Sequence, residues 1–117
     1  MFISINENRD FLNVYHHGKS YANKYLVIYL LENNSRKNRL GISVSKKVGN
    51  SVVRHRVTRL IRESIRLHED QIQTGFDIVI IARNTAKDRK YQEIESAFLH
   101  LLNKHQIFMD GHQSAES

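Results

Sequence analysis

The sequence predicts a small α+β domain, an α/β sandwich with helices lying on a sheet in the order α-β-β-α-β-α. Three observations predict it. The runs Tyr25 to Glu32 and Phe76 to Ala82 are rich in branched and aromatic residues, as strands are. Three other segments carry apolar residues at helical spacing, which marks helices bound to a core by one side. The most basic helix sits between two strands. Strand, helix and strand make one crossover unit, whose two strands are expected to be parallel.

The elements follow in order. Asn6 is placed to cap a first helix that runs to about His17, with Gly18 ending it and Phe11, Val14 and Tyr15 sharing one side. One more short strand is expected near Lys19 to Asn23. YLVIYLLE, Tyr25 to Glu32, is the first long strand, and NNSRKN is the polar turn after it. RLGISVS, Arg39 to Ser45, alternates, with Leu40, Ile42 and Val44 on one face. The basic helix covers Ser51 to His68. QTG breaks the chain before FDIVIIA, a continuous apolar run typical of an interior strand. A last helix spans about Lys90 to Lys104 and packs through Ile94, Ala97, Phe98, Leu101 and Leu102.

With 117 residues the chain holds one domain, assigned to 1–108. The tail 109–117 contains DGHQSAES, has little to bury, and is expected to be disordered. No cysteine is present, which excludes disulfides and thiolate metal sites and suits a cytoplasmic protein. No apolar run has the length of a membrane-spanning helix, and the N-terminus lacks the features of a signal peptide, so no membrane is expected as partner.

Net charge is +6, but its distribution says more. From Arg39 to Arg66 there are eight Lys or Arg residues against the single acid Glu63, so the excess positive charge sits in about a quarter of the chain. Such a field attracts polyanions, of which nucleic acid is the commonest in a cytosol.

At about 100° per residue, Val53, Val57, Leu60, Ile61 and Ser64 fall in one arc of the basic helix, with Ile65 and Leu67 at its edges. His55, Arg59, Arg62 and Arg66 cluster on the opposite side, and Arg54 and Arg56 flank the boundary. A merely solvated face normally mixes both signs of charge, whereas here Glu63 alone can offer an ion pair. A membrane-surface helix would need its apolar side for lipid, and the core already claims it. Phosphate fits better, because guanidinium forks match its oxygens and also stack on bases. The preceding loop SKKVGNS adds Lys46, Lys47 and the backbone N–H groups of the first helical turn to the same anionic footprint.

KKVGNSVVRHRVTRLIRE resembles the signature of the bacterial ribonuclease P protein subunit, K-K-x-G-N-A-V-x-R-N-R-x-K-R-x-x-R. DFLNVYHHGKSYANKYLVIY, RLGISVSKK and DIVIIAR match further segments of that family in order and spacing, so the resemblance covers about residues 5 to 105. It implies a protein without a complete active site, partnered with a catalytic RNA that uses Mg²⁺, held mainly by that RNA, to remove the 5′ leader of precursor tRNA. It places Lys46, Lys47, Arg54, His55, Arg56, Arg59, Arg62 and Arg66 toward the catalytic RNA. Phe11, Tyr15 and Tyr29 would form a leader cleft, with His55 and Thr58 as further leader contacts. No obligate protein partner is evident. The family's βαβ crossover is left-handed, against the usual preference. The chain departs from the signature at Ser51, His55 and Thr58, where Ala, Asn and a basic residue are usual, and at Asn84-Thr85, where Lys-Pro is common.

Competing readings meet obstacles. In most helices Phe11 would simply be core, and Tyr15 and Tyr29 are evenly balanced between packing and binding. His16, His17, His100, His105 and His112 share no face with a set of acids, which disfavours zinc. His55 and His68 lie nearly four turns apart, too far to act on one phosphodiester. No acid pair for two-metal chemistry accompanies the basic helix, so no catalytic and no metal residue is assigned. A structural RNA-binding module, unconnected to cleavage, is the alternative from another class. Leader binding requires Phe11, Tyr15 and Tyr29 to open onto one groove, while a structural binder could bury all three.

Overall fold

The computed structural model describes residues 2–108, so the expectation of a disordered tail at 109–117 lies outside the described residues. The elements are β1 (Ile3–Ser4), α1 (Asn8–His17), β2 (Lys19–Ala22), β3 (Leu26–Glu32), β4 (Arg39–Ser43), α2 (Ser51–His68), β5 (Phe76–Ala82) and α3 (Tyr91–His105). Short 3-10 turns cover Glu69–Gln71 and Asn84–Ala86. The strands form one mixed sheet in the order β1-β4-β5-β3-β2. β4 and β5 are parallel neighbours, as the strand–helix–strand unit required, and β3 joins β5 antiparallel with Leu26 opposite Ala82.

Alternation along the strands creates two layers. Leu26, Ile28, Ile78 and Ile80 face α2 and α3, where they meet Val57, Ile61, Ile65, Ile94, Phe98, Leu101 and Leu102 in the main core. Val79 points to the other side, beneath α1, and packs with Ile5 and Val14. Val79 and Ile80 are both fully buried because β5 is covered on both faces. Burying each such side chain contributes about 1.5–3 kcal/mol before entropy is counted.

The helix that the sequence starts at Asn6 begins instead at Asn8. Residues 3–5 are drawn into the sheet, where the N–H groups of Ile3 and Ile5 donate to the carbonyls of Asn38 and Leu40 at 3.0 and 2.8 Å. Glu7 is still extended, and Asn6 makes no cap. The strand expected to reach Ser45 ends at Ser43, and the last helix runs from Tyr91 to His105 rather than from Lys90 to Lys104. The first long strand starts at Leu26, not Tyr25, because Asn23 Oδ1 accepts from the N–H groups of both Tyr25 and Leu26 and holds a turn there. The bounds of α2 and β5 are those expected, and the short strand near Lys19 is present. On α2 the buried residues are Val57, Ile61, Ser64 and Ile65, whereas Leu67 falls outside the packed arc and is 52% exposed. No helix among the described residues is long and apolar enough to cross a membrane.

Candidate nucleic-acid interface

The basic helix is fixed by its own start. Asn50 Oδ1 accepts from the Val53 N–H at 3.0 Å, so one of the expected free donors of the first turn is already occupied. Gly49 is needed there, since a Cβ would lie 2.7 Å from Val53 Cγ1. Val48, 2% exposed, anchors the loop and leaves Lys46 and Lys47 projecting into solvent.

Along the 18 residues of α2, a length of about 27 Å, His55, Arg56, Arg59, Arg62 and Arg66 are exposed and Arg54 is half-buried. Ser51, Val52, His55, Arg56 and Arg59 line one open groove, and Arg59, Leu60, Arg62, Glu63 and Arg66 line the next. The ridge is not uniformly free. Arg66 donates to both carboxylate oxygens of Glu63, and that contact holds the Glu63 carboxyl below its ordinary range. Arg56 Nη2 donates to the Arg89 carbonyl at 3.0 Å. Arg39, part of the basic segment by sequence, is spent elsewhere: its Nε and Nη2 donate to the two Asp77 oxygens at 2.8 and 2.6 Å.

On the opposite side of the sheet, α1 and β3 build an aromatic surface. Phe11 and Tyr15 lie one helical turn apart with ring centroids 6.4 Å from each other, and Tyr15 meets the Tyr29 ring edge-on at 5.0 Å. All three are half-buried, and they rest on fully buried Val14 and Val79. Burial pushes the Tyr15 hydroxyl pKa above its usual value, with the Ser43 hydrogen bond opposing and the nearby Tyr29 adding to the rise. At neutral pH it therefore remains a neutral donor. Gly41 forms the floor, where a Cβ would stand 2.6 Å from Phe11 Cε1.

The structure thus brings Phe11, Tyr15 and Tyr29 together, but it does not add the other two expected leader contacts to that cluster. His55 and Thr58 belong to α2, whose packing side faces the other layer, and the Thr58 hydroxyl is given to the Arg54 carbonyl at 2.9 Å. Sequence reading missed Gly41 and Ser43 as cleft residues. A glycine inside the alternating strand RLGIS was the available signal, since it marks close approach by another group. Among the described residues no three His, Asp or Glu side chains gather as metal ligands.

The Ribonuclease P family model matches residues 2–106. The ribonuclease P protein component of Lachnoclostridium phytofermentans is 58% identical over 104 residues, covering 89% of this chain and 90% of the relative. That of Clostridioides difficile is 50% identical over 104 residues, covering 88% and 91%. Among solved structures, the Staphylococcus aureus RNase P protein superposes with a TM-score of 0.85 at 39% identity, over 93% of this chain and all of that one. The Thermotoga maritima RNase P protein gives 0.80 at 32% identity, over 86% and 96%. With the arginine ridge, the aromatic cleft and the mixed sheet all in one small domain, the chain belongs to the ribonuclease P protein family.

Proposed function

We propose that this ribonuclease P protein component binds the catalytic RNA through the α2 ridge and receives the 5′ leader of precursor tRNA in the Phe11–Tyr15–Tyr29 cleft. The single observation that carries the reading is the aromatic patch: three rings left partly exposed side by side, with Gly41 beneath Phe11. Aromatic faces stack any unpaired base, so such a patch holds single-stranded RNA without demanding one sequence. That all three rings stay partly exposed supports this reading over a structural module, which could bury them.

The chain's residues bind and position. Lys46, Lys47, Arg54, Arg56, Arg59 and Arg62 neutralise phosphates, His55 offers ring nitrogens to a base, and Arg66 joins after exchanging Glu63 for phosphate. Tyr15 and Tyr29 hold leader bases, which keeps the leader extended and presents the cleavage junction to the RNA. Mg²⁺ bound by the RNA would supply the Lewis acidity for water activation, and no residue of this chain is assigned to hold it. Hydrolysis leaves a 5′-phosphate on the tRNA and a 3′-hydroxyl on the leader. The setting is the cytoplasm.

A cleavage assay tests this. The purified chain is combined with a bacterial ribonuclease P RNA at low Mg²⁺, and leader release from precursor tRNA is followed. Strong stimulation over RNA alone, with no cleavage by protein alone, is the expected result. RNA binding without stimulation would favour the structural module instead.

A further inference from the structure

Because Leu26 pairs with Ala82, the turn before β3 and the loop after β5 leave the sheet at the same end. Five cations meet there from two distant segments: Lys24 from the turn, and Arg83, Lys87, Arg89 and Lys90 from the loop. Glu93 is engaged by Arg89 at 3.6 Å. Lys24, Arg83, Lys87 and Lys90 are exposed, and among the described residues none has a carboxylate partner.

The array is held in place. The Arg83 N–H donates to the Tyr25 carbonyl at 2.9 Å, and its guanidinium donates to the Asn23 carbonyl at 2.7 Å. The Thr85 hydroxyl donates to the Lys24 carbonyl, and fully buried Ala86 pins the turn between them. Asp88, with φ 62°, turns the chain through the left-handed region that Asp tolerates better than most residues. Lys24 and Arg89 stand 5.6 and 5.7 Å from the Tyr25 ring centroid, within cation–π reach. The positive end of the 15-residue helix α3 starts at the same place. Fixed like charges repel one another, and an anion that joins them removes that cost. The backbone that carries the cations is preorganised, so binding an anion orders only the exposed side chains. Arg56 joins this surface to the α2 ridge through its hydrogen bond to the Arg89 carbonyl.

We propose that this end of the sheet is a second RNA-backbone contact, where Lys24, Lys87, Arg89 and Lys90 hold phosphates of RNA that continues past Arg56 from the α2 ridge. The inference rests on the reading of α2 as an RNA-binding ridge.

The test uses the full chain and a bacterial ribonuclease P RNA, with affinity measured across a salt series. Lys24→Ala/Lys87→Ala/Lys90→Ala is compared with Arg36→Ala/Lys37→Ala/Lys104→Ala, which removes equal charge elsewhere, and with Arg59→Ala. The first triple variant is expected to flatten the log–log salt slope by about two to three, and the second by less than about one. Equal flattening by both triples would overturn the site, leaving only a net-charge effect. An unchanged first triple beside a weakened Arg59→Ala would overturn the second contact and leave the ridge standing. No loss in either would sink the ridge reading itself, and this contact with it. Should the triple variant fold poorly, lysine acylation of the wild-type complex decides the matter: RNA should shield Lys24, Lys87 and Lys90 but not Lys37 or Lys104. Uniform labelling of all five would overturn the proposal.

Discussion

Phe11 lies against the backbone of Gly41, so closely that a methyl group added there would stand 2.6 Å from its ring. A helix and a strand that share no local sequence therefore set the depth of the aromatic cleft together. Gly41→Ala is expected to push the Phe11 ring outward. Stability should fall by about 1–3 kcal/mol, as overpacking does. Affinity for leader-bearing precursor should fall further than affinity for leaderless tRNA. Paired binding assays with the two substrates check this, and equal losses would detach Gly41 from the cleft.

Tyr29→Ala removes the ring that meets Tyr15 edge-on at 5.0 Å. Base stacking on one aromatic residue is worth about 1–3 kcal/mol. Binding of the precursor by the reconstituted complex should weaken by a corresponding factor, while binding of the catalytic RNA by the protein stays unchanged. If the RNA is lost equally, the cleft assignment is wrong.

The arginines of α2 should differ in effect. Arg59 has no acid partner among the described residues, whereas Arg66 is held by Glu63. Arg59→Ala is expected to reduce the salt slope of RNA binding by about one. Arg66→Ala should reduce it less, because phosphate must first displace Glu63. Filter binding over a range of salt concentrations separates the two, and identical slopes would show that the ion pair does not compete.

Asp77 is 2% exposed and accepts from Arg39 twice and from Asn33 at 2.9 Å. Burial opposes its charge, but the Arg39 and Asn33 hydrogen bonds and the Arg39 charge together hold its pKa below the ordinary value. A depressed pKa stabilises the fold above the unfolded value of about 3.9, and that contribution is lost as pH falls through the folded value. Asp77→Asn should remove this acid-sensitive part from urea midpoints measured between about pH 5 and about pH 2. Asp77→Ala should cost up to about 3 kcal/mol, less than a wholly buried pair, because the Arg39 side chain remains 33% exposed.

His105 behaves similarly in a higher window. Burial lowers its pKa, against the hydrogen bond from its Nε2 to the Ile28 carbonyl at 2.8 Å, with the Lys19 charge lowering it further. Stability from this group is present above the unfolded pKa of about 6.5 and is lost as pH falls below it toward the folded value. His105→Gln should flatten the stability profile between about pH 7 and about pH 5. An unaltered profile would show that another group titrates there.

Much of this was legible because it is local. Helical spacing depends on neighbours three and four residues away, and this is why α2 and its buried Val57, Ile61 and Ser64 could be read from the chain. The apolar run Phe76–Ala82 announced an interior strand for the same reason. The N-terminus was misread because Asn6 has the chemistry of a cap, while residues 3–5 had a competing use as an edge of the sheet. That use depends on Asn38 and Leu40, which no local period connects to them.

By itself the sequence determined the element types from α1 onward, the side of α2 that enters the core, and the excess of positive charge between Arg39 and Arg66. Only the tertiary structure decided which charges remain available. It spent Arg39 on Asp77, set Gly41 beneath Phe11, and carried Lys24 to the loop that bears Arg83 and Lys90. The physical reason is that periodicity reports burial along one segment, whereas neutralisation and cleft shape depend on atoms that only folding makes neighbours.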